Sequence, residues 1–359
     1  FSKNAVALIT QAAKKSEPFF LYLPFTSPHW PLHAFPEDIA KYRGKYREGW
    51  DALRKARHAR MIEMGIVDPK WALSPKDPKA PEWDQLPEER RDDLALRMAV
   101  YAAQIDRMDQ GIGHALAKLD ELKISDSTLI LFLADNGGCA EEIDRGVQGV
   151  PAGEADSFLS YGLPWANASN TPFRRFKHWT HEGGISTPLI ARWPSVIQKK
   201  GELTAQVGHL IDILPTCIDA AGVPYPESVN GHEIRPTEGK SLRPIFEGRI
   251  RDPHPAIFWE HEGNRAVRQG SWKLVARYKE PWELYNMEED RTELHNLADA
   301  NPDKVAELSA LYDAWAARAD VRPWEEVQRS DAERKGAQKG KGKAQPKAKA
   351  KRNAGNRAS

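Results

Sequence analysis

Apolar and polar residues alternate at helical spacing over residues 2–15, and the run Phe19-Phe20-Leu21-Tyr22-Leu23-Pro24 that follows reads as a buried strand closed by proline. From about 36 to 92 the pattern dissolves into Pro, Trp and charge. This predicts an insertion of short helices lying over the surface, a kind of segment that often shapes a pocket. Residues 89–122 carry the longest helical stripe, formed by Leu94, Leu96, Met98, Ala99, Ala102, Ile105, Met108 and Ile112. It leads into an apolar strand at 128–134. Residues 139–176 read as loop, 184–194 as a strand ending at Pro194, and 207–221 as a helix returning to the sheet. After Gly248 short aromatic-rich segments crowd together at 256–260, 265–268, 272–275 and 282–285, a spacing that suits an antiparallel sheet. A helix at 303–319, with Val305, Leu308, Leu311, Tyr312 and Trp315 on one face, is placed to cover it. The predicted class is α/β: a mixed, largely parallel sheet sandwiched by helices, with a small C-terminal α+β subdomain. The expected organisation is an α/β domain at 1–250, the subdomain at 251–325 and a disordered basic tail at 326–359.

Three of these segments put polar residues at one end of an apolar run. Asp135-Asn136-Gly137 closes the strand at 128–134, Ser27-Pro28-His29-Trp30-Pro31-Leu32 follows the run at 19–24, and Lys177-His178-Trp179-Thr180-His181-Glu182-Gly183-Gly184 precedes the strand at 184–194. An open α/β sheet gathers such residues at its carboxyl edge, where ligands bind. Any one segment read alone is a turn or a solvated loop. Together they offer a carboxylate and an amide for a hard cation, an imidazole and an ammonium, a set that suits a tetrahedral oxyanion.

Composition narrows the setting. The 359 residues can bury a sizeable core, and no apolar run approaches the ~18 residues needed to cross a bilayer. Cys139 and Cys217 cannot build a disulfide framework, and neither lies in a CxxC motif. Residues 335–359 hold nine Lys or Arg and no acid, so subtracting them from the net charge of +1 leaves an acidic body of about −8. The tail lacks interleaved aromatics, so weak polyanion affinity is expected and specific nucleic-acid binding is not.

At this point the residues resemble the formylglycine-dependent type I sulfatases of the alkaline phosphatase-like superfamily, over about residues 1–320. The histidine segment at 27–32, Leu131-Phe132-Leu133-Ala134-Asp135-Asn136-Gly137-Gly138, and a lysine five residues before Glu182-Gly183-Gly184 are similar to that family's motifs. Smaller phrases agree: His209 to Thr216, Gly239 to Leu242, Trp272 to Val275, and Trp282 to Tyr285 with Asn296-Leu297-Ala298. One departure stands out. The family's nucleophile is made from Cys or Ser in a C/S-x-P-x-R segment, which this sequence lacks, and neither Cys139 nor Cys217 has the context to replace it. The paired aspartates that complete the family's calcium site and its Lys-x-His segment are missing too, so the chain is expected to be the downstream part of a catalytic domain and inactive alone.

The resemblance implies a sulfuric ester hydrolase acting on aryl or carbohydrate sulfate esters, periplasmic or secreted, with partners limited to a small sulfate ester or a sulfated carbohydrate. Asp135 and Asn136 become the metal ligands, for Ca2+ or less often Mg2+, supplying two of the about six to eight oxygens Ca2+ takes. Lys177 would set an ammonium against a sulfate oxygen. His29 would touch the sulfate or ester oxygen and donate a proton to the leaving group; its bland alternative is a satisfied structural histidine. His181 and His261 are candidate substrate contacts, His178 or His181 lining the pocket and His261 reaching in from the smaller subdomain. His33 is expected at the surface, Glu182 to be structural, and Arg174 and Arg175 to be solvated. The sequence leaves two other readings open, a metal-dependent phosphoesterase of the same superfamily and a noncatalytic binder of sulfated glycans.

Overall fold

In the computed structural model, which describes residues 1–330, Phe1–Tyr312 form one compact unit and a second begins at Asp313. Helix α1 (Ser2–Ala12) packs on the C-terminal part of a long helix through Ile9, Ala115 and Leu119. Helix α2 (Pro36–Tyr42) starts on Pro36 with Glu37 and Asp38 in its first turn, where Pro loses no hydrogen bond and acids meet the positive helix end. Helix α3 (Gly49–Glu63) follows, then α4 (Glu88–Glu121), the 34-residue helix expected from the apolar stripe. Asp38 is buried and binds Lys41 at 2.9 Å, Arg107 at 2.6 Å and Gln110 at 3.1 Å, which ties α2 to α4. Ile105 departs from the expected stripe and is exposed.

The segment at 36–92 is not superficial. Trp50 of α3 and Trp83 are 1% and 4% exposed and meet Trp165 edge-on, with ring centroids 5.4 and 5.8 Å away. Aromatic area of that size dominates a core wherever it is buried, so the insertion supplies the centre of the main hydrophobic cluster. Trp165 lies on α5 (Gly162–Ser169), a helix inside the stretch expected to be loop.

Strand β1 (Ile130–Leu133) pairs antiparallel with β2 (Leu189–Arg192), from Ile130 opposite Arg192 to Leu133 opposite Leu189, and the short helix α6 (Glu182–Ile185) lies just before β2. That register brings Asp135-Asn136 and the Lys177–Gly184 segment to the same end of the ribbon. Two sequence expectations are corrected here. Residues 19–24 form no strand, and Phe20 and Tyr22 are each 75% exposed. Among the described residues no strand pairing is parallel; the one parallel contact is a bridge between His33 and Gly153. The cause is the same in both cases: among the described residues no further strand flanks the β1–β2 ribbon, and Phe132, Leu189 and Ile190 are exposed.

Helix α7 (Ile213–Ala221) ends at Gly222 in the left-handed conformation, a common C-terminal stop. A two-residue ribbon, β3 (Ser228–Val229) with β4 (His232–Glu233), and the single turn α8 (Arg243–Phe246) lead to the C-terminal sheet. There β5 (Ile257–His261), β6 (Asn264–Gln269), β7 (Trp272–Ala276) and β8 (Glu283–Asn286) run antiparallel in sequence order, as the spacing predicts. Helix α9 (Pro302–Arg318) buries Leu308 and Tyr312, and the Tyr312 ring lies 5.7 Å from that of Trp282. Residues 324–330 are helical, including 326–330, which were expected to belong to the tail; 331–359 lie outside the described residues.

Candidate functional site

Backbone contacts join the end of β1 to the lysine segment. The Gly137 N–H donates to Gly184 O at 3.0 Å and the Lys177 N–H donates to Gly138 O at 3.0 Å. Only glycine fits this junction: a Cβ on Gly137 would meet Gly183 O at 1.9 Å, and one on Gly184 would meet Trp179 O at 1.9 Å. These glycines serve a close backbone approach. Gly184→Ala is expected to destabilise the fold by at least about 2 kcal/mol, because a backbone oxygen cannot swing aside as a side chain does; an unchanged denaturant midpoint would contradict this.

On this junction the structure brings Lys177 and His29 together, Nζ to Nε2 at 3.5 Å. His29 Nδ1 is 3.0 Å from Trp30 O, a carbonyl that can only accept, so Nδ1 carries the ring proton and Nε2 presents its lone pair to the ammonium. Both side chains are open to solvent. Asp135 and Asn136 lie nearby: Asn136 is two residues from Gly138, at most about 7.6 Å along the chain, and Gly138 is bonded to Lys177. Neither side chain has a hydrogen-bond or ion-pair partner among the described residues. Carboxylate and amide oxygens left unpaired at a strand end are the donor types that a hard cation such as Ca2+ takes.

Glu141 is a neighbour the sequence did not single out. Its carboxylate accepts from Trp30 Nε1 at 2.8 Å and from the Cys139 thiol at 3.1 Å. The Cys139 and Trp30 hydrogen bonds, with the charges of Lys177 and His29, hold its pKa below the usual carboxylate value. Burial pushes the Cys139 thiol up, which leaves it protonated near neutral pH and unsuited to attack. No sequence signal pointed to Glu141 except its nearness to the Asp-Asn-Gly turn.

The remaining candidates separate. His181 is fully buried, 3.5 Å from Glu283 and without a hydrogen-bond partner, and burial lowers its pKa. A neutral core imidazole does not line a pocket, so the expectation of substrate contact fails for it on burial. His261 is exposed at the end of β5, its ring 5.2 Å from that of His178. His33 is at the surface, bound to Ser157 O at 2.6 Å. Arg174 and Arg175 are not simply solvated: Arg174 binds Tyr285 Oη and Glu293 O, and Arg175 stacks on Trp179 at 5.1 Å. Glu182 is structural as expected, buried against Lys273 at 2.8 Å.

The α/β fold thus places an ammonium, an imidazole, and unpaired carboxylate and amide oxygens at one end of a strand ribbon. The sulfatase family profile matches residues 1–223, and a profile described as "N-sulphoglucosamine sulphohydrolase, C-terminal" matches residues 173–312. The chain belongs to the sulfatase family. It is 34% identical to an uncharacterized sulfatase of Schizosaccharomyces pombe over 86% of its own length and 59% of that protein. It is 32% identical to an arylsulfatase of Klebsiella aerogenes over 67% of its length and 54% of that protein. The chain thus spans little more than half the length of these curated relatives. The crystal structure of Ps i-CgsB superposes with a TM-score of 0.58 at 23% identity, covering 88% of this chain and 53% of that one. The fold is alkaline phosphatase-like, an α/β architecture with a small C-terminal antiparallel sheet. No helix among the described residues is long and apolar enough to cross a membrane.

Proposed function

We propose that His29, Lys177, Asp135 and Asn136 are the downstream half of a calcium-dependent sulfatase active site of the formylglycine type, its nucleophile supplied by a segment outside these 359 residues. The observation that carries the reading is the 3.5 Å approach of His29 Nε2 to Lys177 Nζ beside two unpaired oxygen ligands. Two facts support the outside segment: the chain contains no C/S-x-P-x-R, and it spans about half of its relatives. On this reading the chain is inactive by itself. Residues 1–250 belong to the catalytic domain and 251–325 to a C-terminal subdomain. The parent protein is secreted or periplasmic.

When bound, Ca2+ supplies positive charge against the sulfuryl oxygens, and Asp135 and Asn136 would hold part of its shell. Lys177 adds a positive charge on another oxygen. With Nδ1 held by Trp30 O, His29 keeps Nε2 toward the anion. A proton taken up there can pass to the departing alkoxide. Glu141, anchored beside both groups, offsets the positive charge of Lys177 in the resting site. His261 approaches from the β5 end and contacts the alcohol half of the ester. That alcohol is an aryl group or a carbohydrate; a structure of Ps i-CgsB is described in complex with k-i-k-neocarrahexaose.

The test joins these residues to a nucleophile segment in one polypeptide and assays aryl sulfates, sulfated oligosaccharides and phosphate esters. Expected is sulfate-ester hydrolysis that a chelator abolishes and Ca2+ restores, with Asp135→Ala losing at least about 100-fold in kcat/KM at limiting Ca2+. Two bound zinc ions with preferred phosphate-ester turnover would establish a phosphoesterase instead. Binding of sulfated polymer without turnover would establish a noncatalytic role.

A further inference from the structure

We propose that His178, His261 and Glu262 form a second metal site, built for a borderline transition-metal ion such as Zn2+ and separate from the oxygen pair at Asp135 and Asn136. Each residue offers one ligand atom, and the three atoms lie within 4.8 Å of one another. Donors around a tetrahedral Zn2+ at about 2.0–2.2 Å stand about 3.3–3.6 Å apart. His178 Nδ1 and Glu262 Oε2 are already 3.2 Å apart. Two imidazoles and a carboxylate suit zinc, copper or nickel, whereas Ca2+ prefers oxygen alone. The His178 and Glu262 side chains are 40% and 43% exposed, which leaves a coordination position open to water or to an oxygen ligand.

The backbone around these residues is unusual in the same direction. The β5–β6 turn has φ of 52° at Glu262 and 81° at Gly263, a pair of left-handed positions that normally favour Asn, Asp or Gly, yet a glutamate occupies the first. His178 has φ of 93°. Strain of this kind, about 1–3 kcal/mol per residue, persists where the surroundings fix a side chain for a purpose. The fixing group is Asn264, 2% exposed, whose Nδ2 donates to His261 O at 2.9 Å and reaches His178 O at 3.5 Å, while its Oδ1 accepts from Tyr278 N at 3.1 Å. The hairpin tip and the lysine loop are thus braced together without metal. One contact opposes binding: a metal on His178 Nδ1 leaves the ring proton on Nε2, 3.3 Å from Asn264 Nδ2, and that contact must open.

A rival cluster, His29, Cys139 and Glu141, also brings its ligand atoms within 4.8 Å. There the Lys177 ammonium stands 3.5 Å from His29 Nε2 and repels a cation, and the thiol must first lose its proton. Among the described residues, no ammonium or guanidinium bonds to the His178 cluster. Because His178 follows Lys177, an ion in this site would pin the lysine loop to the C-terminal hairpin.

The experiment titrates untagged, chelator-treated chain with Co2+ followed by visible absorption, and with Zn2+ by calorimetry, so its outcome does not depend on sulfatase turnover. Expected are one equivalent bound, d–d bands without a thiolate charge-transfer band, and affinity at least tenfold weaker in His261→Ala and in Glu262→Gln. Both positions are exposed, and circular dichroism checks that the variants fold. Cys139→Ser is expected to bind as the parent does. Stoichiometric binding unchanged in the two hairpin variants, binding abolished by Cys139→Ser, or no stoichiometric binding would each overturn the proposal.

Discussion

Replacing Lys273 by Met is expected to cost the fold about 3–5 kcal/mol at neutral pH, the range for removing one partner of a buried ion pair. Lys273 has no exposed side-chain surface and holds Glu182 Oε1 and Glu293 Oε1, each at 2.8 Å. Without it two carboxylates remain in the core. Glu293 keeps the bond its Oε2 accepts from Glu182 N at 3.0 Å, and Glu182 keeps a long contact to Arg291 at 3.5 Å. The pH dependence gives the prediction a second arm. Burial alone would raise the Glu182 pKa, but Lys273 and Arg291 bring it down to about 2. A depressed carboxyl contributes stability that is present above its ordinary value of 4.5 and is lost as pH falls toward 2. In Lys273→Met burial dominates, so the deficit at pH 7 should shrink as the pH falls and the carboxyls take up protons. Urea midpoints of both proteins at pH 7 and pH 4 check this, and equal midpoints at pH 7 would refute it. The effect reaches the site because Glu182 lies five residues from Lys177.

The second large effect concerns Lys177 itself. In a polypeptide that carries the nucleophile, Lys177→Met should lower kcat/KM for a sulfate ester by about 10²–10³, the scale of losing one preorganised charge contact to a developing oxyanion. Inhibition by free sulfate should weaken in parallel, because the ammonium meets product as well as transition state. Lys177→Arg is not expected to restore activity. The planar guanidinium is larger and does not act as a compact point charge, and His29 Nε2 stands only 3.5 Å from the position the new head group would enter. A loss smaller than tenfold in Lys177→Met would remove the lysine from the site.

Elements whose pattern depends on nearby residues were legible in the sequence. Helix α4 follows from its 3.6-residue stripe, and β5 to β8 follow from short apolar runs at hairpin spacing. Elements that depend on distant partners were not. Phe19–Leu23 has the composition of a buried strand, but burial requires a neighbour, and none flanks it among the described residues. Helix α5 was hidden because Gly162 and Pro164 punctuate its first turn, although Trp165 on the same helix is fully buried. At the site, His29 and Lys177 were named from local motifs and do approach each other. The roles of His178 and His181 could not be divided from the sequence, because the positive φ of 93° at His178 turns the chain between them. Glu141 was invisible for a different reason: its partners, Trp30 and Cys139, come from two segments that only the fold unites.

The most direct test is a crystal structure of the polypeptide with its nucleophile segment, grown with Ca2+ and sulfate and measured where calcium scatters anomalously. Sulfate bonded to both His29 Nε2 and Lys177 Nζ, with the calcium peak on the Asp135 and Asn136 oxygens, is the predicted result. Sulfate and calcium bound away from these four residues, in an enzyme that turns over sulfate esters, would contradict it.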